Sequence, residues 1–269
     1  MKNILVPTDF SEASGNALQY AMSVAKLIDA KVDILHVYSL PMSLSVELPA
    51  DMLQQMLDNE KEQVEEQFSS FLQIYGHAED HNRLLINGRF ISQEIVEIAK
   101  DKGHDLIVMG MKGKHSSIEK VIGSITTQTM MQAPCPVMAI PEGISFNGID
   151  EIAYATDFQL TDQHAVEELI AFAGVAMAKV HFLHVETKPN IGQLKDTIQV
   201  DNYPYDFTDF TIINYPSVME GIDQYMLQNK VDLLALFIPR RRLWERLFHS
   251  SFTKKMCFHT KTPLLVFHS

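Results

Sequence analysis

The chain has 269 residues, of which 46% are hydrophobic and 21% charged. This ordinary globular composition suits about two domains of common size and excludes a disordered, collagen-like or low-complexity chain. Lys and Arg number 22 against 34 Asp and Glu, a net charge of −12, and so acidic a surface repels phosphate backbones and anionic lipid, so neither nucleic acid nor membrane is an expected partner.

Met1-Lys2-Asn3 leads straight into Ile4-Leu5-Val6, without the apolar core of a signal peptide. No stretch approaches the ~18 to 20 apolar residues of a membrane span. A cytoplasmic protein is expected. Asn3–Pro7 reads as a buried strand, and Ser11–Asp29 as a helix with Ala17, Leu18, Ala21, Met22, Ala25 and Leu27 near helical spacing. Lys31–Tyr38 is a second strand. A long amphipathic helix over Pro49–Tyr75 follows, carrying Met52, Leu53, Met56, Leu57, Val64, Phe68 and Phe71. Next come strand Arg83–Ile86, helix Ile91–Lys102, strand Leu106–Met109, helix Ser124–Gln132 and strand Pro136–Ile140. This βαβαβαβαβ order is the pattern of a parallel, doubly wound α/β sheet with helices on both faces. The turn-rich stretch Pro141-Glu142-Gly143 to Asn147-Gly148 then reads as a linker.

Beyond the linker the chain repeats itself. Ile4 to Val37 aligns without a gap on Ile152 to Val185, and twelve of those 34 positions are identical. Thr8-Asp9-Phe10 recurs as Thr156-Asp157-Phe158, Ala30-Lys31-Val32 as Ala178-Lys179-Val180, and Leu35-His36-Val37 as Leu183-His184-Val185. The offset then falls from 148 to 127, where Asp105-Leu106 matches Asp232-Leu233, Thr126 matches Thr253 and Pro136 matches Pro263. The second copy has therefore lost 21 residues from its middle. Two domains are expected, residues 1–143 and 149–269. Cys135 and Cys257 stand 122 positions apart and read as small core residues, and the eleven histidines form no cluster with metal-ligand spacing.

Open parallel sheets bind ligands beyond the carboxyl ends of their strands. In the first copy those ends carry Asp9, Val37 and Gly110. After Gly110 come Met111-Lys112-Gly113, nine residues from Lys114 to Ile122, and Gly123-Ser124-Ile125-Thr126. Glycine lets backbone approach a phosphate closely, and free N–H groups at a helix start donate to an anion. Ser124 either caps the helix or gives its hydroxyl to a phosphate, while Lys112 and Lys114 add positive charge. Neither GxxxxGK[ST] nor GxGxxG occurs, so the P-loop and dinucleotide-fingerprint readings fail. Turn geometry alone is the other use for such a loop, and Asp9 and Ser11 compete as the cap of the first helix.

Pro7-Thr8-Asp9-Phe10-Ser11, Leu35-His36-Val37, Asp105 to Gly110 and the spacing Gly110, Gly113, Gly123-Ser124 together resemble the universal stress protein family in its tandem form. The resemblance implies two Rossmann-like domains of the adenine nucleotide alpha hydrolase-like kind, each a doubly wound parallel five-stranded sheet, packed as a pseudo-dimer through their fifth strands. It implies that ATP or another adenine nucleotide, with Mg²⁺ as companion, binds the first domain. Asp9 would lie by the ribose and Val37 at the base, with Gly110, Lys112, Gly113, Gly123, Ser124, Ile125 and Thr126 holding the phosphates; Pro7, Thr8 and Met109 complete the expected binding residues.

The second copy departs from this pattern, with Phe237 at the place of Gly110, Arg240 at Gly113 and Ser250 at Gly123; only Ser251 keeps its type. A degenerate second site is expected. Arg240-Arg241-Arg242 reads as a solvated or salt-bridging stretch and Trp244 as a packing residue. No general base or arginine finger accompanies the glycine loop, so the expected role is a nucleotide-responsive module for an unidentified protein partner, with further homodimerisation open, and not an enzyme. A slow ATPase or adenylate-handling enzyme, and a dimerisation module that needs no nucleotide, are the alternatives.

Overall fold

The computed structural model describes residues 1–39, 50–76, 81–111, 122–156, 163–187, 209–238 and 262–268. The N-terminal half runs β1 (Asn3–Pro7), α1 (Glu12–Ile28), β2 (Lys31–Tyr38), α2 (Ala50–Tyr75), β3 (His81–Asn87), α3 (Ile91–Asp101), β4 (Leu106–Gly110), α4 (Ser124–Gln132) and β5 (Val137–Ile140). The C-terminal half holds β6 (Glu151–Ala155), α5 (Gln163–Ala176), β7 (Lys179–Glu186), β8 (Asp209–Asn214), α6 (Val218–Asn229), β9 (Leu233–Ile238) and β10 (Leu264–His268).

All ten strands join in one sheet of order β3-β2-β1-β4-β5-β10-β9-β6-β7-β8. Within each half every pairing is parallel, as the βα alternation requires. The halves meet where β5 and β10 pair antiparallel, with Ala139 opposite Leu264, Met138 opposite Leu265 and Val137 opposite Val266. All six side chains are buried, so the fifth strands cover each other's open edges. Side chains alternate along each strand and feed two cores. Ile4 and Val6 pack with α1, α2 and α5 on one face, and Leu5 with α3, α4 and α6 on the other. Among the described residues no helix is long and apolar enough to cross a membrane.

Long-range polar contacts explain several of the repeated residues. The Asp105 carboxylate accepts the Lys2 and Asn3 backbone N–H groups at 2.6 and 3.0 Å, and Asp232 does the same for Asp150 and Glu151 at 2.9 and 3.0 Å. At the other end of the strands, His36 Nδ1 bonds the Thr8 carbonyl at 2.8 Å and His184 Nδ1 the Thr156 carbonyl at 2.9 Å. The helices α1 and α5 pack together across the junction. Tyr20 and Glu168 hold the same place in the repeat, and each lies near the aspartate of the opposite half. Burial and then Asp232 push the Tyr20 hydroxyl up, while burial and Asp105 push the Glu168 carboxyl up.

Candidate functional site

The strand order reverses between β1 and β4, where a doubly wound sheet offers its ligand crevice. β1 stays paired with β2 through Pro7–Leu35, and β4 with β5 through Gly110–Ile140. Yet β1 and β4 register with each other only at Ile4–Leu106 and Leu5–Ile107. Beyond that point the hydrogen-bonded ladder stops at Pro7, which has no N–H to give, and the switch point has Pro7-Thr8-Asp9 on one side and Met109-Gly110-Met111 on the other.

The first wall is a tight turn. Asp9 Oδ1 accepts the Ser11 backbone N–H at 3.1 Å and also the Ser11 hydroxyl. Ser11, not Asp9, is the N-cap of α1, its hydroxyl accepting the Ser14 N–H at 3.2 Å. The half-buried Asp9 carboxylate is thereby held at the mouth of the crevice instead of being used up as a cap. Thr8 is buried, its hydroxyl 2.9 Å from that of Ser14 and accepting the Phe10 N–H at 3.0 Å.

Phe10 sits in the left-handed region, φ 60, which costs a non-glycine residue about 1–2 kcal/mol. Its ring explains why the strain persists. It stacks on His36 with centroids 4.1 Å apart and meets Phe68 and Phe71 of α2 at 5.6 Å each, and aromatic pairs contribute about 0.5–1.5 kcal/mol apiece. α2 is pinned further at Gly15 of α1, where a Cβ would stand 2.6 Å from the Tyr75 ring. An open groove of about 660 Å³ runs along α2 between Gln63 and Tyr75. It shares only Phe10 with the turn and is distinct from the crevice at the strand ends.

The second wall is the end of β4 and the start of α4. Thr126 is buried and donates its hydroxyl to the Gly110 carbonyl at 2.9 Å, while the Gly123 N–H reaches the Met111 carbonyl at 2.7 Å. These bonds hold the first turn of α4 over the strand end. Gly123 is the N-cap and makes no side-chain cap bond, and Ser124 is an exposed first helical residue with Ile125 half-buried behind it. Among the described residues no capping side chain takes the N–H groups of this turn, an arrangement that favours an anion. Val37 and Met109 are buried strand residues next to the switch point, on β2 and β4. Lys112 and Gly113 lie outside the described residues. Among the described residues no three His, Cys, Asp or Glu groups stand together as metal ligands.

The C-terminal half is built differently at the matching place. β6 and β9 stay in register from Ile152–Leu233 through Ala155–Leu236, with Ala155 at the place of Pro7. Phe237, at the position of Gly110, is a strand residue opposite Phe267. Asp157, Arg240, Arg241, Arg242, Trp244, Ser250, Ser251 and Cys257 lie outside the described residues. The residues named from the sequence lie along both walls, but Phe10, His36 and the Thr126–Gly110 bond were not singled out. The one signal for Phe10 and His36 was that Thr-Asp-Phe and Leu-His-Val recur together at a single offset.

The family model described as the Universal stress protein family matches residues 1–141. Universal stress protein MJ0531 of Methanocaldococcus jannaschii is 32% identical over 143 residues, spanning 52% of this chain and 81% of that protein. Universal stress protein MJ0577 of the same organism is 30% identical over 155 residues, 52% of this chain and 94% of its own length. The structure of a universal stress protein from Archaeoglobus fulgidus superposes with a TM-score of 0.67 at 16% identity, covering 98% of this chain and 95% of that one. At that identity the likeness shows the fold, and it does so across both halves.

Proposed function

This chain belongs to the universal stress protein family, and from that premise we propose that its N-terminal half binds ATP or a related adenine nucleotide as the signal-sensing step of a cytoplasmic stress response. The observation that carries the reading is the switch point between β1 and β4, with the Asp9 turn on one side and the start of α4, tied to Gly110 by the Thr126 hydroxyl, on the other. Phosphates would sit against the N–H groups of Gly123, Ser124, Ile125 and Thr126, drawn by the positive end of α4. The ribose hydroxyls would donate to Asp9, and the base would lie over Val37 at the end of β2. Mg²⁺ enters with the triphosphate as its counter-ion. The chain acts as a binding module whose bound and free forms differ in stability, and a partner protein reads that difference.

The test is thermal unfolding with ATP, AMP and GTP added to nucleotide-stripped protein. A ligand at 100 times its dissociation constant adds about 2.7 kcal/mol, so the adenine nucleotides raise the midpoint and GTP does so less. Asp9→Ala loses most of the rise. Equal shifts from all three nucleotides, or an undiminished shift in the variant, would defeat the assignment of Asp9 and the adenine preference.

A further inference from the structure

We infer that the groove along α2 docks a basic amphipathic helix of a partner protein. Phe10, Phe71, Ile74 and Tyr75 give the groove its apolar lining, and Ile74 is 69% exposed, so that lining is open to an incoming side chain. The stretch from Gln63 to Tyr75 is about 18 Å long at 1.5 Å per residue, enough for about three turns of a facing helix. Along α2 the backbone groups are bonded within the helix, so an extended peptide finds no strand edge to pair with. A helix satisfies its own backbone and brings only side chains.

The charge of the partner follows from α2 itself. The helix carries six carboxylates, Asp51, Asp58, Glu60, Glu62, Glu65 and Glu66, against one cation, Lys61, which lies 3.8 Å from Glu65. Six against one leaves −5 on this helix out of −12 on the chain, and Glu66 lines the groove. Lys and Arg flanking an apolar anchor are therefore attracted, while an acidic segment or a second copy of this chain is repelled. Phe10 joins the groove to the proposed nucleotide site. It lines the groove, follows Asp9 in the turn, and is held at φ 60 with its ring against His36, Phe68 and Phe71. A nucleotide drawn to Asp9 acts on the neighbouring residue, and the two sites then change each other's affinity by the same factor. This link alone rests on the nucleotide reading; the docking does not.

The full chain is titrated with a labelled helical peptide of about 14 residues, Leu on one face and Lys on the other, and with its Glu-for-Lys counterpart, at about 0.15 M salt. The Lys peptide binds saturably and the Glu peptide does not. Ile74→Asp lowers the Lys-peptide affinity about tenfold or more, although it adds a negative charge that a general attraction to an acidic surface would turn to gain. Leu227→Asp, the same change at a 75% exposed position near the end of α6, leaves the affinity unchanged. Both side chains are exposed, so neither variant loses core packing. No saturable binding of the Lys peptide, equal effects of the two substitutions, or binding of the Glu peptide overturns the inference. So does a dimer of the chain alone, seen in sedimentation, that Ile74→Asp dissolves, since the occupant is then a second copy. ATP shifts the Lys-peptide affinity about threefold or more and Asp9→Ala removes the shift; ATP that binds without a shift overturns the link through Phe10. Should the chain bind no ATP, the nucleotide reading fails and the peptide comparison still decides the groove.

Discussion

Thr126→Val replaces a hydroxyl by a methyl group at nearly constant volume in the first turn of α4. The hydroxyl donates to the Gly110 carbonyl at 2.9 Å, and Thr126 is 4% exposed, so water does not take its place. A buried carbonyl that loses its donor costs about 1–3 kcal/mol. Helix propensity does not offset this, since Val and Thr rank nearly alike. In a chain of this size each kcal/mol moves the thermal midpoint by about 2–4 °C, so the expected fall is about 2–12 °C. Urea denaturation reads the same loss directly. Thr126→Ser keeps the donor and recovers most of the hydrogen-bond contribution, losing only the methyl group. The bond also ties α4 to the end of β4, so Thr126→Val should weaken ATP binding while Thr126→Ser largely retains it. A valine variant within about 0.5 kcal/mol of the parent, the scatter of ordinary surface substitutions, would refute the view that this bond holds the second wall of the crevice.

Three further outcomes are expected. Gly221→Ala places a Cβ 2.5 Å from Cγ1 and 2.9 Å from Cγ2 of the buried Val185; overpacking of about 1–3 kcal/mol outweighs the gain of about 1 kcal/mol in helix propensity, and a stabilised variant in chemical denaturation would show that β7 yields freely. Burial, then Asp105, push the Glu168 carboxyl above its ordinary value against the pull of His164 and the N-terminal amine. Its contribution is thus favourable when protonated and is lost as pH rises through the raised value. Glu168→Gln should be more stable than the parent near pH 7, with the gap closing as the medium is acidified through the carboxylate range; a variant less stable at pH 7 would contradict this. Burial, with Asp105 and Glu168 behind it, pushes the Cys135 thiol up to about 12. In a Cys257→Ser background Cys135 should therefore resist iodoacetamide at pH 8 until the chain is unfolded, and labelling of the native protein would show an opening that the structure lacks.

The alternation of strand and helix was legible from short apolar runs at β1 and β2 and from Gly123-Ser124 at the start of α4: all three begin and end within a residue of the expected places. The meeting of the fifth strands was implied by the family resemblance and is found in the β5–β10 pairing, which covers both open edges. Other features depend on contacts between distant residues, and local pattern carries little trace of them. Asp105 stood out as a repeated residue, yet its partners Lys2 and Asn3 lie more than a hundred positions away. Nothing near Gly15 in the sequence marks it as the place where the Tyr75 ring packs against α1. Pro7 was legible as part of a motif, but the pairing of β1 with β4 at Ile4–Leu106 and Leu5–Ile107 is a matter of register, which no spacing along the chain reports. Asp9 had two uses open to it, and the choice turned on which side chain reached the Ser14 N–H first; the shorter Ser11 side chain, already in place, does so.

The most direct test of the account is a calorimetric titration of nucleotide-stripped protein with ATP and Mg²⁺, with phosphate release assayed on the same sample. A glycine loop in the N-terminal half, and Phe237, Arg240 and Ser250 in place of its glycines in the C-terminal half, predict one nucleotide per chain and no turnover above background. Two nucleotides per chain would contradict the degenerate second site, steady phosphate release would make the chain an enzyme, and no binding would remove the adenine nucleotide from the account.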